Sequence, residues 1–119
     1  MQSTTWEGTS LHFMVGTDGS GGAHMAFQAV MDSLMHHSDR ITVSHIYNTG
    51  KTYLPYDMQP DALKQKYESL TIGLGSRVRL FWEESDPKTT TKEQMIQIAK
   101  NESASIIVVG MNGRKGPKE

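Results

Sequence analysis

Apolar positions along this chain fall into two kinds of pattern, short continuous runs and stripes of helical period, and their succession predicts four strands and three helices. Leu11 to Thr17 is an apolar-rich run that enters Asp18-Gly19-Ser20-Gly21-Gly22, the pattern of a buried strand leading into a turn. From Ala23 onward Phe27, Val30, Met31 and Leu34 recur at i, i+3, i+4 and i+7, so one apolar stripe faces the sheet from a helix expected to end near His37-Ser38. Arg40 to Asn48, with Ile41, Val43, Ile46 and Tyr47, reads as a second strand, followed by a Gly/Pro-marked loop from Thr49 to Met58.

Pro60-Asp61 suits a first helical turn, because proline there lacks only an N–H that has no intrahelical partner. Leu63, Tyr67, Leu70 and Leu74 supply the stripe of this helix, and Gly73 and Gly75 stop it. Val78, Leu80 and Trp82 alternate with Arg77, Arg79 and Phe81, the half-polar pattern of a strand near a sheet edge. Asp86-Pro87 breaks the chain, Thr91, Met95 and Ile98 with Ala99 mark a third helix, and Ser105 to Val109 is the last strand.

Strictly alternating strands and helices imply right-handed crossovers and a parallel sheet covered on both faces, a Rossmann-like α/β fold. With the strand order 3-2-1-4, the last strand lies beside the first, and Asp18 and Gly110 face each other across the crevice at their carboxyl ends. The chain is read as one domain over residues 11–119, preceded by a polar, flexible tail at 1–10.

Composition narrows the partners. The 119 residues carry 12 basic and 13 acidic side chains, a net charge of −1, which gives no electrostatic reason to expect nucleic acid or an anionic membrane as a main partner. Cysteine is absent, which removes disulfide and thiolate chemistry. No run approaches the ~20 apolar residues of a membrane span, and Met1 to Ser10 lacks the pattern of a secretory signal, so a soluble cytoplasmic protein is expected.

The candidate chemistry sits in the two glycine-bearing turns. Gly19-Ser20-Gly21-Gly22 at a helix start can offer N–H groups to an anion, yet it matches neither a Walker A loop nor G-x-G-x-x-G, and a tight turn with Asp18 or Ser20 as helix cap explains it equally. Asp18 at a strand end can accept from ribose hydroxyls or an adenine amino group, or serve as that cap. Gly110-Met111-Asn112-Gly113 permits close approach of backbone to ligand and is also an ordinary turn sequence. His12, His24, His36, His37 and His45 have no recognised metal spacing, no nucleophile and base pair can be named, and the eight methionines read as adaptable core filler. No metal and no catalysis are assigned.

Taken together, Phe13 to Ser20, Ile41 to Tyr47 with Ser44-His45-Ile46, Asp86-Pro87 before the third helix, and Ser105 to Gly113 resemble the universal stress protein family over about Leu11 to Arg114. The resemblance implies an α/β fold that often dimerises, and a site for ATP or AMP in which Asp18 contacts the ribose or adenine, Thr17 and Ile46 line the base pocket, and Gly110 and Gly113 begin the phosphate loop; beside it, Arg114 reads either as a partial substitute for the phosphate donors that the shortened loop lacks or as part of a solvated tail. The family's nucleotide-binding group continues from G-x-x-G to a distal G-[S/T], whereas only six residues follow Gly113, so the usual last helix and fifth strand are absent from this sequence. Two expectations follow: weakened preference for the triphosphate, and an exposed apolar edge at Ile106 to Val109 that implies either a homo-oligomer or a C-terminal segment removed from a longer protein. The alternative is an interaction module of the same fold that binds no nucleotide. A third reading, from Ser20-Gly21-Gly22, resembles the S-G-G-x-D-S loop of ATP pyrophosphatases, but His24 and Met25 stand at the Asp-Ser positions.

Overall fold

The computed structural model describes residues 10–34, 36, 38–48 and 55–110. Its strands are β1 (His12–Gly16), β2 (Arg40–Tyr47), β3 (Val78–Glu84) and β4 (Ile106–Val109), and its helices are α1 (Gly21–Ala29), α2 (Pro60–Leu70) and α3 (Thr91–Asn101). All strand pairs are parallel in the order β3-β2-β1-β4. In register, Phe13 lies between Ile41 and Ile106, and Gly16 between Ser44 and Val109.

This order fixes which helix covers which face. The chain steps from β1 to β2 to β3 in one direction and then returns past both to β4, and right-handed crossovers put α1 and α2 on one face and α3 on the other. Side-chain alternation along β1 serves both layers. Phe13 and Val15 join Phe27, Val30, Leu63 and Tyr67 in the larger core, while Met14 packs with Ile98 and Ala99 of α3. β1 is therefore buried along its whole length, as a central parallel strand must be. Among the described residues β4 is paired on one side, and Ile106, Ile107 and Val109 are 38%, 41% and 55% exposed.

The helix boundaries differ from the sequence pattern where polar groups intervene. Ser20 caps α1, its hydroxyl accepting the Ala23 N–H at 3.2 Å, so the helix starts at Gly21, ahead of the apolar stripe. After Ala29 the chain widens into a π-helical turn, Val30–Leu34, short of the expected end at His37-Ser38; His37 lies outside the described residues. α2 ends at Leu70, before either glycine: the Thr71 hydroxyl donates to the Tyr67 carbonyl at 2.7 Å, and the chain tightens into a 3₁₀ segment, Ile72–Arg77, in which Gly75 has φ +59°. The expected stripe of α2 is correspondingly shortened, with Leu63 and Tyr67 buried and Leu70 39% exposed. α3 opens with a reciprocal capping box between Thr90 and Glu93.

One buried carboxylate ties the amino-terminal side of the sheet together. Asp39 is 2% exposed and accepts from the Leu11 N–H at 2.8 Å and the His36 N–H at 2.9 Å. Arg77 closes the cluster, donating to the Asp39 carbonyl at 2.9 Å and the His36 carbonyl at 2.7 Å. Burial alone pushes the Asp39 carboxyl up, but the two N–H donors, together with the charges of His36 and Arg77, outweigh it and hold the group below its ordinary value. A depressed carboxyl stabilises the fold above the unfolded value of about 3.9, and that contribution is lost as pH falls through the folded value. Asp39→Asn is expected to destabilise the domain by about 1–3 kcal/mol at neutral pH. In urea denaturation its difference from the parent should shrink below about pH 4; a difference that stays constant into acid would contradict this role.

Candidate functional site

At the carboxyl ends of β1, β2 and β4 the sheet opens into a cavity of about 190 Å³. Gly16, Thr17 and Asp18 enter it from β1, Ile46 from β2, and Val109 and Gly110 from β4. Thr91 and Met95 of α3 and Ala23 of α1 close the sides. This is where the strand order reverses, since β2 and β4 leave β1 in opposite directions, and crevices at such points are the usual ligand positions of open α/β sheets. Four of the sequence-predicted site residues, Thr17, Asp18, Ile46 and Gly110, thus meet around one cavity. Gly113 and Arg114 lie outside the described residues.

Thr17 is the fixed point of the rim. Its N–H donates to the Ser44 carbonyl at 2.9 Å, extending the ladder one residue beyond β1. Its carbonyl accepts from His45 Nδ1 at 2.8 Å, and its hydroxyl accepts the Gly19 N–H at 3.1 Å and lies 3.3 Å from the Tyr67 hydroxyl. The side chain is therefore engaged inside the fold, and Thr17 forms a wall of the cavity while it orients the turn. A carbonyl only accepts, so neutral His45 carries its proton on Nδ1. Burial lowers the His45 pKa, against smaller opposing effects of the Thr17 carbonyl and Asp18, and burial likewise raises that of Tyr67. The shifts favour the neutral forms of both groups.

Asp18 stands exposed at the mouth. Its Oδ1 accepts the Ser20 N–H at 2.9 Å, an Asx turn, while Ser20 caps α1. Gly19 makes this turn with φ +88° and packs under Met58, whose Cγ would lie 3.1 Å from a side-chain carbon there. The result is a carboxylate held at the end of β1, beside the amino terminus of α1.

Two glycines allow close packing that other residues would prevent. A Cβ on Gly110 would fall within the van der Waals radius of the Gly22 carbonyl, so β4 exits against the first turn of α1 backbone to backbone. A Cβ on Gly16 would come within 2.5 Å of Met95 Cε and 3.0 Å of Sδ, so the thioether rests in the space that the missing side chain leaves. In the sequence Met95 fits the stripe of the third helix and nothing local marks Gly16 as its partner; a glycine inside an apolar strand run is the signal for such an approach.

The other notable side chains have structural partners. His12 Nε2 lies 2.6 Å from the Thr42 hydroxyl, and His24 packs near Phe27 and Tyr67. Trp82 donates to the Pro60 carbonyl at 2.9 Å and packs edge-on to His45. A larger hollow of about 480 Å³ lies beside Tyr47, Lys64 and Trp82, away from the strand reversal.

No family model matches the chain, and no curated protein matches it. Solved structures do. Protein Rv1636 from Mycobacterium tuberculosis H37Rv aligns at 20% identity over 86% of this chain and 72% of its own, with a TM-score of 0.53. A protein from the universal stress protein family of Burkholderia pseudomallei aligns at 17% identity over 84% of this chain and 80% of its own, with a TM-score of 0.56. A universal stress protein in complex with cAMP aligns at 16% identity over 83% of this chain and 75% of its own, with a TM-score of 0.53.

The close approach at Gly110 is testable on the protein alone. Gly110→Ala is expected to destabilise the domain by about 1–3 kcal/mol, because the added carbon meets backbone that has nowhere to retreat. Gly21→Ala, with nothing within 4 Å of the new carbon, should stay within about 0.5 kcal/mol of the parent. Equal melting curves for the two variants would rule out the contact. With its parallel 3-2-1-4 sheet and its likeness to these structures, the chain has the universal stress protein fold.

Proposed function

We propose that the cavity at the strand reversal binds an adenine nucleotide, ATP or AMP, in a binding or sensing role in the cytoplasm during stress response. The observation that carries this reading is the convergence of Asp18, Ile46 and Gly110 on one crevice at the β1/β4 reversal. Ile46 and Met95 offer apolar surface to a flat base, and the Asp18 carboxylate is placed to accept from ribose hydroxyls or an exocyclic amine. Backbone N–H groups at the start of α1 suit an anion, with Gly113 and Arg114, outside the described residues, as the proposed continuation toward the phosphates. The solved neighbour that holds cAMP supports an adenine-bearing ligand in this fold.

A second reading has its own observation. Among the described residues β4 is paired on one side and exposes apolar side chains on its edge, an arrangement that can take another strand, and it supports self-association through β4, alongside nucleotide binding or in its place. In sedimentation at micromolar concentration, Ile107→Lys is expected to shift a dimer toward monomer; a parent protein that sediments as a monomer would remove this reading.

For the nucleotide, calorimetric titration with ATP, AMP and adenosine should give saturable binding. Asp18→Ala is expected to weaken it by about 10- to 100-fold, the worth of a hydrogen bond to a charged group. Asp18→Asn keeps an acceptor for the Ser20 N–H and separates loss of the turn from loss of the ligand contact. No heat with any of the three ligands would refute nucleotide binding and leave the interaction module.

A further inference from the structure

The cavity is small for a nucleotide site. At about 190 Å³ it falls below the roughly 300–1,000 Å³ of small-molecule sites, so a nucleoside seats deeply only if a wall moves. Most walls are fixed. Thr17 is held through its N–H, carbonyl and hydroxyl, Gly110 abuts the Gly22 carbonyl, and Ile46 is β-branched and sits on a central strand. Met95 differs in kind. It is partly buried, unbranched and polarizable, and its end rests on Gly16, a contact between a flexible tip and bare backbone.

We propose that Met95 is the gate of this cavity: resting on Gly16 it withholds the volume that a purine ring needs, and ligand entry lifts the thioether off the strand. This inference rests on the adenine-nucleotide reading. It gives Gly16 a purpose, since a glycine inside a buried strand forfeits packing unless another group comes close. Because the site accepts ligand only when open, the apparent affinity is lowered by the fraction of protein in the open arrangement. The displaced methionine can then lie against the base, so the ligand class favoured is a flat, polarizable ring.

The test combines binding with a reporter on the gate. Protein labelled with ¹³C-methyl methionine is titrated with adenosine, with Met31, which packs against the larger core on the opposite face of the sheet, as internal reference. The Met95 methyl resonance should shift during the titration while that of Met31 stays nearly fixed. By calorimetry Met95→Ala should bind adenosine about tenfold more tightly, since the closed arrangement no longer competes. Gly16→Ala, whose new carbon displaces only the tip of a flexible side chain, disfavours the closed arrangement and should fold and bind adenosine several-fold more tightly; in the Met95→Ala background most of that gain should disappear, because the two residues are coupled. If Gly16→Ala fails to fold, the methyl shift and Met95→Ala decide alone. Adenosine binding to the parent with a stationary Met95 methyl and no gain in Met95→Ala would overturn the gate and leave the nucleotide reading standing. Absence of adenosine binding in every variant would overturn both.

Discussion

Parallel pairing of β1 with β2 on one side and β4 on the other is the constraint from which the rest of the molecule follows. It places β1 inside the sheet, where residues from His12 to Gly16 are buried, and it requires α1 and α2 to cover one face and α3 the opposite one. Because the two neighbours depart from β1 in opposite directions, no crossover fills the space above its carboxyl end. The cavity between Asp18, Ile46 and Gly110 is the geometric residue of that reversal.

What makes the space a shaped site is close backbone approach and internal satisfaction of polar groups. Thr17 is bound on every side, to Ser44, His45, Gly19 and Tyr67, so the turn that carries Asp18 is anchored into the larger core. Burial favours the neutral forms of His45 and Tyr67, which keeps charge out of that anchor, while Asp18 stands exposed at the β1 end of the mouth. On the far side Gly110 lets β4 meet α1 without an intervening side chain. The amino-terminal side of the sheet has an analogous fastening in Asp39 and Arg77, which ties Leu11, His36 and the entrance to β3 together.

Much of this is legible in the amino-acid sequence. Runs such as Phe13 to Val15 and the alternation of Val78, Leu80 and Trp82 identify strands because side-chain direction alone dictates that periodicity, and alternating elements leave few topologies, among them the observed order. The meeting of Asp18 and Gly110 follows from that order. Other features depend on contacts between distant segments, which no local pattern encodes. Asp39 and Arg77 look like ordinary surface charges in sequence, yet they form the tie beneath the sheet. Leu70 fits the stripe of α2 but lies at its last turn, where Thr71 ends the helix, and it remains partly exposed. Met95 fits a helical stripe as well, and its contact with Gly16 appears only when α3 is laid over β1.

A crystal structure of the protein grown with AMP tests the central claim most directly. The account predicts the base between Ile46 and Met95, the ribose within hydrogen-bond distance of Asp18, and the Met95 thioether displaced from Gly16. AMP seated instead in the hollow beside Tyr47, Lys64 and Trp82, with the cavity at the strand reversal unchanged, would contradict it.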